Sequence, residues 1–161
     1  MVAKKLVFNI FISLLFVSCL VKAQESSVLD KSSLCGDLLE IYAKKPEGLE
    51  FMSCEVITDS QTLVKATYRV SGKNAKKVED FLVLNYNMGT LKWVCCGWES
   101  GGKLGGFENE ELKAIDPYLT GIVTMGASGE ILDAKEPTGV RLEFDRNKIK
   151  YFTVTVSLAI V

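Results

Sequence analysis

The chain contains no histidine. That single absence removes every Ser-His-Asp or Cys-His nucleophile system, every imidazole metal ligand and every histidine pH switch. Cysteine is scarce, at 5 of 161 residues. No two cysteines stand in C-x-x-C spacing, the usual redox arrangement. Two cysteine pairs at finger-like spacing are also missing, which speaks against a zinc site. There is no internal repeat and no low-complexity tract. "GGKLGG" (101–106) lacks the G-x-x-x-x-G-K-[ST] spacing that cradles phosphate and reads as a flexible loop. "ENEEL" (108–112) lacks the D-x-D-x-D-G calcium pattern and reads as a solvated acidic helix start. Carboxylate, lysine and thiol chemistry stay open, and no cofactor is indicated.

A long apolar run is missing too. Residues Leu6 to Ser18 are mostly apolar and follow Lys4 and Lys5, but a bilayer span takes about 20 such residues. A basic start, a short apolar run and the small or modest residues of "VKA" (21–23) describe a signal peptide over 1–23, cut after Ala23. An alternative is a lipid anchor at Cys19, since "FVSC" resembles a weak lipobox with Phe16 in the leucine position. Cleavage leaves 138 residues and removes Lys4, Lys5 and Lys22. The basic count then falls from 19 to 16 against 20 acidic residues, net −4. Nonspecific nucleic-acid binding needs a basic surface and is disfavoured. The expected location is periplasmic or secreted, with a lipoprotein held through Cys19 as the alternative.

Residues 24–33 read as a flexible lead-in and 34–161 as one domain. "LCGDLLEIYAK" (34–44) places Cys35, Leu38, Leu39 and Tyr42 at helical spacing, with Ser32 or Ser33 as cap. "LEFMSCEVI" (49–57) predicts a strand. "VKATYRV" (64–70) alternates strictly. "NAKKVEDFLVLNY" (74–86) puts Ala75, Val78, Phe81 and Leu82 on one helical face. Residues 90–98 read as one strand, with Leu91, Trp93 and Cys95 opposite Lys92, Val94, Cys96 and Trp98. A long loop follows to 118. Strands are expected at 119–125, 140–144 and 151–161, with a turn over 145–148 joining the last two. Clustered strands and few helices predict an α+β fold: an antiparallel-rich, disulfide-stapled sheet with two main helices on one face. Residues 64–98 suggest one parallel crossover.

Four cysteines remain after cleavage, and an even number in an exported chain reads as a disulfide framework. The facings assigned above favour Cys35–Cys95 and Cys54–Cys96. A bond between Cys95 and Cys96 would distort the backbone between neighbouring residues. Glu99 is a lone candidate acid, whereas paired carboxylates are the usual signature. Trp98 and Met52, with Glu99 beside Trp98, form an expected interaction surface if their face of the sheet is uncovered; packing under the 99–118 loop is the alternative.

"CCGWE" (95–99), with "KPEGLEFMSC" (45–54), "ATYRVSG" (66–72) and "VEDFL" (78–82), resembles the bacterial family called Domain of Unknown Function 4952. The resemblance extends from Cys35 to the C-terminal strand. It implies an exported bacterial domain and carries over no catalytic residue. The expected function is a protein-binding module of the cell envelope, of interaction, inhibitor or immunity type, acting on an unidentified protein partner. The alternatives are a hydrolase using carboxylates and a thiol-redox protein using Cys95 and Cys96.

Overall fold

The computed structural model describes residues 30–58 and 60–161. The expected signal peptide and cleavage site, Cys19 and the first residues of the expected lead-in lie outside the described residues. At the end of the lead-in, Lys31–Leu34 form a 3-10 turn whose cap, Asp30, accepts from the Ser32 N–H. Three helices follow in the chain: α1 (Leu38–Tyr42), α2 (Gly72–Tyr86) and α3 (Glu110–Ile115). The strands are β1 (Glu50–Val56), β2 (Thr62–Ser71), β3 (Lys92–Val94), β4 (Gly97–Glu99), β5 (Gly105–Phe107), β6 (Leu119–Ser128), β7 (Glu130–Leu132), β8 (Val140–Leu142) and β9 (Tyr151–Ile160).

Seven strands make one antiparallel sheet in the order β1-β2-β9-β6-β4-β3, with β5 also on β6. Alternation decides its faces. Val64, Ala66, Tyr68 and Val70 of β2 are buried, as are Phe152, Val154, Val156 and Leu158 of β9. Helix α2 covers this side with Ala75, Val78, Leu82 and Tyr86. The other side is polar. Ser53, Thr67, Thr155 and Thr124 stand abreast across four neighbouring strands. The fold is therefore α+β, with an antiparallel sheet, helices and a disulfide.

Several expectations change. The first helix is shorter: Cys35 is extended, and Asp37 starts α1 by accepting from the Glu40 N–H. Gly36-Asp37 provides the break, because Asp favours the cap over the helix interior. The expected parallel crossover is absent, since β9, β6 and β4 lie between β2 and β3 and every pairing is antiparallel. The stretch 99–118 holds β5 and α3, with Asn109 capping α3 through the Leu112 N–H and Glu110 and Glu111 in its first turn. β8 pairs with β7 in a separate two-stranded arm, and not with β9.

Helix α1 is tied to the sheet by one phenol. Tyr68 Oη accepts from the buried Leu39 N–H at 3.0 Å and donates to Asp37 Oδ1 at 3.0 Å, while Lys45 Nζ holds Asp37 Oδ2 at 2.6 Å. Burial pushes the Tyr68 ionisation well above the ordinary phenol value. A folded pKa above the unfolded one means that this contribution is complete below about pH 10 and is lost as pH rises further. Tyr68→Phe is expected to cost about 1–3 kcal/mol at neutral pH, because the Leu39 N–H loses its acceptor. The same variant should show a shallower loss of stability above pH 10 in urea titrations at stepped pH. Tyr86, also raised by burial, keeps part of that slope.

Candidate functional site

β3 and β4 form a tight hairpin. Val94 pairs with Gly97, so Cys95 and Cys96 are the two turn residues. Cys95 has φ 53°, and Cys96 is not in the left-handed region. Positive φ at the first turn position alone is the signature of a type II′ turn, which matches strand twist and normally takes glycine there. A cysteine in that place holds strain on the order of 1–3 kcal/mol. Cys95 is exposed and Cys96 half-buried, and both are free thiols. The Cys96 thiol pKa is raised by the neighbouring Cys95 side chain, then by burial, then by the charges of Cys95, Glu130 and Glu99.

This overturns the expected pairing. The disulfide joins Cys35 to Cys54, with Cα atoms 5.7 Å apart. Cys54 pairs with Ala66 and so faces the helix layer, where Cys35 lies. Cys35–Cys95 and Cys54–Cys96 are not formed, because β1 and β4 are separated by β2, β9 and β6. Strands spaced about 4.8 Å apart put those partners far beyond disulfide reach.

The turn also reverses the facing of Trp98. Trp93 pairs directly with Trp98, so both indoles lie on one side, 5.7 Å apart and edge to face. Trp98 is half-buried under the Arg146 guanidinium at 4.6 Å. Arg146 in turn holds Glu79 of α2 at 2.7 Å. The expected patch of Trp98 with Met52 does not form: Met52 is 44% exposed on β1, at the opposite end of the sheet. Glu99 is exposed on the polar side of the sheet, opposite Lys92 and Gly126.

The arm begins where the hairpin ends. The Gly129 N–H donates to the Cys96 carbonyl at 2.8 Å, and the Glu143 N–H donates to the Gly129 carbonyl at 2.8 Å. A β-carbon on Gly129 would sit 2.1 Å from the Trp93 ring, so only glycine fits under that indole. Trp93 then meets Phe144 at 4.5 Å. Within the arm Leu132 pairs with Val140 and Glu130 with Leu142, which places Leu132, Val140 and Leu142 on one face with Glu130 at its inner end. Leu132 is 89% exposed, Phe144 59% and Leu142 39%. These apolar residues were not among the sequence candidates; the alternation of "VRLEF" was the available signal.

Hairpin and arm flank an open cleft of about 690 Å³ whose lining includes Cys95, Cys96, Glu99, Thr124, Glu130 and Thr155. Two adjacent thiols can exchange with disulfides, and the arm can bury apolar surface against another molecule. Among the described residues no cluster of three or more Cys, Asp or Glu side chains is arranged to hold a metal ion. Among the described residues no helix is long and apolar enough to cross a membrane.

No curated protein matches the chain, and no solved structure does. The family match is shorter than the resemblance suggested: it stops at Trp98, so Glu99, β6, the arm and β9 fall beyond it. Residues 22–98, a little under half of the chain, match the model of the family described as domain of unknown function (DUF4952).

Proposed function

We propose that the protein is a protein-binding module of the cell envelope, of interaction, inhibitor or immunity type, and that the β7–β8 arm is its contact surface. The observation that carries this is the uncovered apolar face of Leu132, Val140 and Leu142, continued by Phe144 onto Trp93. Contiguous exposed apolar surface of this kind marks interaction sites. A two-stranded ribbon is marginal alone in water, and a protein partner seated on this face would bury it. The Cys35–Cys54 bond suits a periplasmic or secreted location, where disulfides persist.

The test uses the chain from Gln24 as bait for envelope extract, beside a Leu132→Asp/Leu142→Asp variant. Both substitutions are on exposed positions, so circular dichroism and melting should not change. Capture of the wild-type partner should fall by roughly tenfold or more, the scale of losing buried anchors. Equal capture by both baits would remove the arm from the interface.

A further inference from the structure

The Cys95 and Cys96 thiols carry no cross-link in the fold, yet they are the two adjacent turn residues of the hairpin, Cys95 exposed and in the left-handed region and Cys96 half-buried. We propose that they form a reversible dithiol–disulfide couple open to exchange with disulfides and thiols of the surrounding compartment. The same chain carries Cys35–Cys54, so its compartment supplies a disulfide-class oxidant able to take electrons from a cysteine pair.

The order of attack follows exposure. Cys95, the more exposed thiol, attacks an external disulfide RS–SR as its thiolate. A Cys95–SR bond forms, the RS–SR bond breaks, and one RS⁻ leaves and takes up a proton. Cys96 then gives up its proton to water and attacks the Cys95 sulfur. The Cys95–Cys96 bond forms, and the second RS⁻ leaves and is protonated. Two electrons pass from the protein to the external disulfide, which departs as two thiols. Cys96 is half-buried beside Cys95 and less open to an incoming disulfide, which fits Cys96 as the resolving thiol and not the first attacker. A bond between adjacent residues at an exposed turn is strained, and strained, exposed disulfides are the readily reduced ones. Cys35–Cys54, between two packed segments, is the durable one.

The proposal is independent of the arm's role as a contact and is tested separately. The chain from Gln24 is equilibrated in glutathione buffers of stepped composition, quenched by alkylation and mapped by mass. The expected result is loss of both thiols together as an internal Cys95–Cys96 bond. That bond should reopen at a glutathione ratio that leaves Cys35–Cys54 closed. Cys96→Ser should instead stop at a glutathione adduct on Cys95. The same variant incubated with envelope extract shows whether Cys95 retains a low-mass thiol or a protein. Three outcomes would overturn the proposal: both thiols still alkylated in excess oxidised glutathione, separate adducts on each without an internal bond, or Cys35–Cys54 opening first.

Discussion

Replacing Glu79 by alanine is expected to destabilise the protein by about 3 kcal/mol, the lower end of the range for breaking a buried ion pair. Glu79 is 3% exposed on the inner face of α2. One carboxylate oxygen accepts from the Leu91 N–H at 2.5 Å and the other from Arg146 Nη2 at 2.7 Å. Alanine leaves the Leu91 N–H buried without its acceptor and the guanidinium without its counter-charge. Arg146 keeps some contact with water, its side chain being 21% exposed, which places the cost at the lower end. The consequence reaches the site. Arg146 lies over Trp98 at 4.6 Å and near Phe152 at 5.8 Å, so the Glu79–Arg146 pair is what presses β4 and the hairpin onto α2. Glu79→Gln keeps an acceptor for Leu91 and should lose less. Glu79→Leu with Arg146→Met should recover part of the loss, since an apolar pair needs no desolvation. Urea midpoints at constant slope check the series.

The double variant Cys35→Ser/Cys54→Ser is the second large effect. The bond spans 19 residues of sequence, and cross-linking a loop of that size contributes about 3 kcal/mol, in the chain-entropy view by restricting the unfolded chain. The 3-10 turn and α1 depend on it most, because they are short and their hold on the sheet otherwise rests on packing, on Tyr68 and on the Lys31 Nζ bond to the Ile57 carbonyl. Thermal melting should fall by roughly 10 °C for a domain of this size. Cys95→Ser and Cys96→Ser are expected to stay within about 0.5 kcal/mol of wild type, as turn positions outside the core do. Loss of stability on removing Cys96 comparable to that on removing Cys54 would show that the hairpin pair is a second staple.

The strongly periodic elements were legible in the sequence. The alternation of 64–70 marked β2, the strand expected at 151–161 is β9, and the stripe of Ala75, Val78 and Leu82 marked α2. Sheet order was not legible, because β9 enters between β2 and β6 through contacts remote in sequence. The short elements were hidden for a different reason. β5 and β7 have three residues each, too few for any period to show. The hairpin was missed because Val94-Cys95-Cys96-Gly97 carries no glycine or asparagine at the turn's first position. Reading 90–98 as a single strand placed Trp98 and Cys96 on one face and suggested a staple through the sheet. The turn at Cys95 put both tryptophans on the same side instead. The arm's apolar face was present in "VRLEF", but its partner strand was not, so β8 was assigned beside β9.

The division of the cysteines into one staple and one free, adjacent pair is the claim on which the site rests. Alkylation of the unreduced chain from Gln24, tryptic digestion and mass mapping test it directly. Trypsin cuts after Lys31, Lys44, Lys65, Lys92 and Lys103, which isolates Cys35, Cys54 and the Cys95–Cys96 pair on three separate peptides. The expected result is a 32–44 peptide bonded to the 45–65 peptide. The 93–103 peptide should be bonded to neither, carrying two alkyl groups or an internal bond. A 93–103 peptide covalently bonded to either of the others would contradict the account.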